Sequence, residues 1–347
     1  MNNTKNKMQL NQKIINSKFN ITKNFLYFLI VPAIIILVGI ILLCTVGFNL
    51  GTDFTGSSTF KVYVNNENAL GEEIASYNLD NKDDYKAVRE KIELVLEDNG
   101  LSIREYRTTT INITSYHVYN GQAIGVVYQN TVDDASLIEA QNNDIRSSLI
   151  TAFGYANFDE AISSVDFTPS TSSYGWAIGI VAGIVFAYIL VACYMAFRYD
   201  VSALVVGLIQ IALDLFLTIS LILICRLTIN LSMGIILFST LILTIFNLFY
   251  FYSMTKNNIK SGKLANMKNN AVANATIKEI TMPRAAIYIV LLIIAILFSA
   301  LAVEGVREVA LGIMLSIITT FYTSEFILPS LWSTCHRKKV KKTNKNS

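Results

Sequence analysis

Six apolar runs dominate this chain, each near the ~20 residues that a helix needs to cross the hydrocarbon of a bilayer. They are Phe25 to Gly47, Tyr174 to Phe197, Val201 to Leu223, Leu231 to Met254, Ala285 to Val303 and Val309 to Trp332. The wider balance agrees. Of 347 residues 53% are hydrophobic and only 15% charged, with a mean hydropathy of +0.46, which is too apolar for an ordinary soluble domain. The fold class is therefore an α-helical membrane protein with six transmembrane helices. The first run is longer than the apolar core of a leader and has no small-x-small site before the charged region, so it reads as a span.

Charge orients the spans. Residues 1–24 form a basic arm with Lys5, Lys7, Lys13, Lys18 and Lys23 and no acid, the loop from Thr255 to Arg284 has six basic residues against Glu279, and the tail 333–347 contains "HRKKVKKTNK". All three belong on the cytoplasmic side, so both termini are inside. Residues 48–173 hold 19 acidic against 8 basic residues and belong outside, between helix 25–47 and the five-helix bundle of 174–332 (174–197, 201–223, 231–254, 285–303, 309–332). The tail suits anionic membrane lipid as well as simple anchoring.

The outside region is long enough for its own core. "STFKVYV" alternates as a strand, and "DDYKAVREKIELVLEDNG" places Val88, Ile92, Val95 and Leu96 on one helical stripe that stops at Gly100. "TINITSYHVY" and "QAIGVVYQN" flank the Asn120–Gly121 hairpin signal. A second helix follows, capped by Asp133 or Asp134, and "DEAISSVDF" gives the last strand. Strand, helix, strand, strand, helix, strand is the split β-α-β order, an α+β ferredoxin-like domain; residues 101–110 read either as a further strand or as a loop.

Several chemistries find no support. Cys44, Cys193, Cys225 and Cys335 lie in or beside spans at no metal-ligand spacing, and His117 and His336 are the only histidines. No cofactor, metal site, catalytic dyad or nucleic-acid surface is expected, nor is enzyme activity.

One short stretch is unusual. "FNLGTDFTGSSTF" sets Asp53 between Gly51 and Gly56, beside Thr52, Phe54 and Thr55, where the first span ends. Glycines there allow a tight bend, and Asp53 with the threonines would satisfy the freed N–H groups. Asp53 then reads as a hinge staple; the purely local alternative is a turn with no role in motion.

"GTDFTGS" after a first span, about 120 outside residues and five further spans together resemble the SecF family of protein-export subunits. The family signature is Gly-x-Asp-Phe-Thr-Gly-Gly, with Ser57 here at the second glycine. "SVDFTPSTS", "AFRYD" and "ALGIMLSIITTFYTSEFILPSL" extend the resemblance, and Asp214 falls where the family often has His-Asp. The resemblance implies work late in export with a SecD-like protein and the SecYEG channel, on translocating polypeptides, driven by a proton or sodium gradient. The pair is related to transporters of the resistance-nodulation-division superfamily.

That implication requires ionisable groups within the membrane, and here the chain departs from the family. Asn247 stands at the fourth-span aspartate, Ser253 and Met254 at Asp-Arg, Lys256 at a second arginine, and Glu279 at an arginine near the fifth span, between Lys278 and Arg284; Asn274 and Thr276 are kept. An amide cannot release a proton. The intramembrane carboxylates that remain are Asp214 and Glu325. Asp214 either faces a partner or wet cavity, to titrate or hold a cation, or hydrogen-bonds to a neighbouring helix such as the one bearing Asn247. Glu325, two turns from the end of its span, reads as reaching the interface, and Tyr194, Tyr250 and Tyr252 as interface or packing aromatics. Three functions compete: a SecF-like export subunit, a non-coupled translocon scaffold, and a small-molecule exporter of the resistance-nodulation-division type.

Overall fold

The computed structural model describes residues 21–67, 73–101, 111–118, 121–130, 134–154, 166–168, 173–261, 264, 267–301 and 304–345. A 3-10 turn at Thr22–Asn24 leads into α1 (Phe25–Thr45), followed by a single turn α2 (Thr52–Thr55). Next come β1 (Ser57–Glu67), β2 (Glu73–Ser76), α3 (Lys82–Asp98), β3 (Ile111–Val118), β4 (Gly121–Gln129), α4 (Ala135–Phe153) and β5 (Asp166–Thr168). The remainder is helical: α5 (Ser173–Arg198), α6 (Val201–Ile224), α7 (Met233–Lys260), α8 (Asn269–Leu301), α9 (Glu304–Phe326) and α10 (Leu328–Lys345). Two compact units result, a helical one of Met1–Phe48, Ala177–Leu227 and Ser232–Ser347, and a mixed one of Asn49–Trp176 with Thr228–Leu231.

In the mixed unit β1 pairs antiparallel with β4 on one side and with β5 on the other, and β3 pairs with β4. The order β5-β1-β4-β3 is the ferredoxin-like arrangement. Sequence periodicity missed β2, which pairs with the far end of β1 from Asn65↔Ser76 onward. Residues 102–110, left open between strand and loop, lie outside the described residues, as does most of "DEAISSVDF". Phe60, Val62 and Val64 of β1 and Ile124, Val126 and Tyr128 of β4 meet Val88, Ile92, Val95 and Leu96 of α3 and Ile145 and Leu149 of α4 in one core. Full burial of such a side chain is worth about 1.5–3 kcal/mol. Asn81 caps α3 and Asp134 caps α4, each accepting a backbone N–H two residues on.

A polar chain crosses that core. The Tyr128 hydroxyl donates to Asn142 Oδ1, Asn142 Nδ2 donates to Ser58 Oγ at 3.1 Å, and Ser58 Oγ donates to Asn130 Oδ1 at 2.7 Å. Burial pushes the Tyr128 phenol from its ordinary 10.0 up to about 12.

The helical unit has an inside and an outside of its own. About half of the apolar stretch is buried in α6 and α9 (56% each) and in α7 (44%), but only 11% in α1 and α5, so α6, α7 and α9 form its centre. Close approach there depends on small residues: a Cβ on Gly39 of α1 would meet Ser220 Cβ of α6 at 2.5 Å, and one on Gly312 of α9 would strike Ile236 of α7. α8 starts at Asn269, well before its apolar stretch begins at Ala285. The run from Val309 to Trp332, expected as one span, is broken at Ile327 between α9 and α10. Pro329 explains the break, since it has no N–H to continue the ladder and fits only in the first turn of the new helix.

Tyr128→Phe is expected to destabilise the mixed unit by about 1–3 kcal/mol by stranding Asn142. The raised phenol contributes stability that is complete below pH ~10 and is lost as pH climbs toward about 12. Alkaline unfolding should therefore be less steep over that interval in the Phe variant, and identical pH profiles would contradict the assignment.

Candidate functional site

Two clusters carry the polar residues singled out in the sequence. The first lies in the mixed unit at the junction after α1. Gly51 precedes the turn α2, and Gly56 follows it at φ +79°, a conformation that disfavours any side chain. Gly51 has an ordinary φ of −81°, but a Cβ there would run into Asn230 Oδ1. The crowding arises because this strand of chain is paired: Ile229 N–H donates to Asn49 O at 2.8 Å and Gly51 N–H to Ile229 O at 3.0 Å.

Asp53, expected to satisfy the N–H groups freed beside it, instead accepts the Leu231 N–H at 3.0 Å. Thr55, rather than accepting an N–H, donates to Gly51 O at 3.1 Å. Phe54 is buried with its ring edge-on to Trp176 at 4.9 Å, and Trp176 Nε1 donates to Leu231 O at 3.2 Å. The motif is thus a clasp between the chain leaving α1 and the α6–α7 connection, which sequence separation concealed.

The second cluster lies inside the helical unit. Asp214 on α6 is 1% exposed, and three side chains donate to it: Thr244 Oγ1 of α7 to Oδ2 at 2.6 Å, Thr323 Oγ1 of α9 to Oδ1 at 2.5 Å, and Gln210 Nε2, one turn earlier, to Oδ1 at 3.1 Å. The helix bearing Asn247 does bond it, but through Thr244, and α9 bonds it as well through Thr323. Asn247 itself, also 1% exposed, donates to the Tyr288 hydroxyl of α8 at 2.5 Å and toward Thr320 O at 3.4 Å. Hydroxyl pairs Thr218–Thr319 (3.1 Å) and Thr240–Ser316 (2.8 Å) extend the seam along α6, α7 and α9.

Glu325 does not reach an interface. It is 4% exposed and accepts from Arg284 Nε at 3.0 Å and Nη2 at 2.5 Å, with Thr281 Oγ1 at 2.7 Å on its other oxygen. Arg284 is wholly buried, so the pair compensates two charges that would otherwise be expensive. Glu279 accepts from Asn258 Nδ2 at 2.9 Å, with the half-buried Lys278 just before it. Asn274 accepts the Ile21 and Thr22 N–H groups at 3.1 and 3.3 Å, capping the start of the first span. Tyr252 is an interior residue donating to Ala203 O at 3.3 Å, whereas Tyr194 is exposed and packs on Phe249.

Sequence reasoning missed Gln210, Thr244, Thr323 and Tyr288. Gln210 carried a signal, a lone amide four residues before Asp214 in an apolar helix. The threonines carried none, since helical Thr in a membrane is ordinarily content with its own backbone.

Glu325→Gln should destabilise the protein by about 3–5 kcal/mol because it leaves Arg284 buried without its counter-charge. Adding Arg284→Met should recover much of that loss in detergent melts; additive losses would show that the pair is not coupled. Asp53→Ala should cost about 0.5–1.5 kcal/mol, read as faster hydrogen exchange at the Leu231 amide, and unchanged exchange would exclude the clasp bond.

No protein-family model and no curated protein matches the chain. Solved structures do. A crystal structure of SecDF in its super-membrane-facing form matches with a TM-score of 0.66 at 15% identity, covering 96% of this chain and 40% of that one. SecDF from Thermus thermophilus, described as a translocon-associated membrane protein, matches with a TM-score of 0.58 at 15% identity, over 91% of this chain and 38% of its own. This chain thus spans at most 40% of the length of those proteins. It is a multi-pass membrane protein with the SecDF fold.

Proposed function

We propose that this chain is a SecF-like subunit of the protein-export machinery, which assists late, ion-gradient-dependent translocation of secreted polypeptides. It acts with a SecD-like partner and the SecYEG channel in the cell membrane, both termini cytoplasmic. Supporting this are the likeness to SecDF over nearly the whole chain, the junction motif, and the share of SecDF left unmatched, which a partner of similar plan would supply.

Asp214 is the observation that carries the coupling. It is an acid buried in the middle of a span, held by hydroxyl and amide donors and by no described cation. Such a group changes its charge or its ligand when its surroundings change, and that is the property that a gradient-driven machine needs. Asn247 favours a second reading, a scaffold without coupling, because an amide that donates to Tyr288 and Thr320 O has no proton to relay.

Export of a secreted reporter in depleted cells separates the two. Wild type should restore export, and Asp214→Asn, at equal protein level, should lower it by about tenfold or more, the scale of a lost coupling free energy of 1–3 kcal/mol. Equal rescue would move the coupling to the partner or leave this chain as a scaffold; Asn247→Asp should leave the Asp214 requirement in place.

A further inference from the structure

The seam has more oxygen than its hydrogen bonds use. Gln210 is wholly buried; its Nε2 is spent on Asp214, while its Oε1 has no partner, and Asn247 Oδ1 is likewise buried and unpartnered. A buried carbonyl oxygen left over beside a buried carboxylate has no role if hydrogen bonding is the only task of the site.

The threonines stand between two acceptors each. Thr244 Oγ1 lies 2.6 Å from Asp214 Oδ2 and also 2.9 Å from Thr240 O; Thr323 Oγ1 lies 2.5 Å from Asp214 Oδ1 and 3.4 Å from Thr320 O. Each hydroxyl has one proton and two acceptors. With its proton pointed at the carboxylate, the threonine is a donor to Asp214. With the proton turned to the backbone carbonyl, its lone pairs face the carboxylate, which is repulsive unless a positive ion sits between them.

We infer that Asp214, Thr244, Thr323 and Gln210 form a binding site for a small monovalent cation, sodium by preference, which deepens and rests on the export reading above. The donors are one carboxylate, two hydroxyls and an amide oxygen. This all-oxygen set suits a hard ion. Its single negative charge is neutralised by a monovalent ion, whereas a divalent one would leave a net charge buried in lipid. Arg284, the buried cation among the described residues of the bundle, is bonded to Glu325. The two threonine oxygens stand only 2.6 and 2.5 Å from the carboxylate, so the smallest opening of the cluster would admit sodium before the larger potassium ion, selectivity among hard cations following cavity size and ligand number. Binding would turn both hydroxyl protons to the carbonyls and rotate the Gln210 amide, so the same residues hold two states of one site.

The test uses the purified full chain in detergent and radioactive sodium, so it does not depend on export. Wild type should bind sodium saturably, with unlabelled sodium competing and potassium and choline failing to compete. Thr244→Val and Gln210→Leu should each weaken binding by about tenfold or more, the scale for disturbed metal ligation, and Asp214→Asn should abolish it. A cooperative thermal melt in choline checks that each variant is folded, and sodium should raise the melting temperature of wild type but not of Asp214→Asn. No saturable binding by wild type, or binding unaltered in a folded Asp214→Asn protein, would overturn the site. Either result leaves the export reading to its own assay.

Discussion

Everything central in the helical unit depends on one constraint: a carboxylate placed midway along a membrane helix must find its partners inside the protein. Asp214 finds them on three elements, Gln210 on its own helix, Thr244 on α7 and Thr323 on α9. Helices that share such a group cannot slide or rotate independently. Their mutual approach is made possible by small residues, Gly312 against Ile236 between α9 and α7 and Gly39 against Ser220 between α1 and α6. Packing of small residues and interhelical hydrogen bonds are the forces available where lipid offers no hydrophobic contrast.

The same constraint explains the redistribution of charge relative to the SecF-like pattern. With Asn247 in place of an acid, the fourth span contributes an amide that ties α7 to Tyr288 and Thr320 O and carries no charge. Among the described residues the buried charged side chains are Asp214 and the Arg284–Glu325 pair, the latter satisfied by three donors on the carboxylate. The two groups have different electrostatic characters. One is compensated within the fold, and the other is held by neutral donors among the described residues.

In the mixed unit the polar residues serve geometry. The Tyr128–Asn142–Ser58–Asn130 chain threads an otherwise apolar core, and each polar atom that it uses would be costly if stranded. The junction clasp is built from backbone pairing of Asn49 and Gly51 with Ile229, with Asp53 closing it on Leu231. Both depend on residues far apart in sequence.

The sequence by itself determined the six spans, because length and apolarity decide whether a backbone can live in lipid, and the ferredoxin-like order, because period-2 and period-3.6 patterns and Asn-Gly turns are local signals. It also marked Asp214 and Glu325, since an acid in an apolar run is conspicuous alone. Only the tertiary structure decided what they do. Asp53 was read as a hinge staple for the N–H groups beside it but bonds Leu231, Glu325 as an interface residue but pairs with Arg284, and Thr244 and Thr323 were not read at all. The reason is physical: periodicity fixes which face of a helix is apolar, but the partner of a buried polar atom is chosen by which helices meet and at what depth, and neither is encoded within one turn of chain.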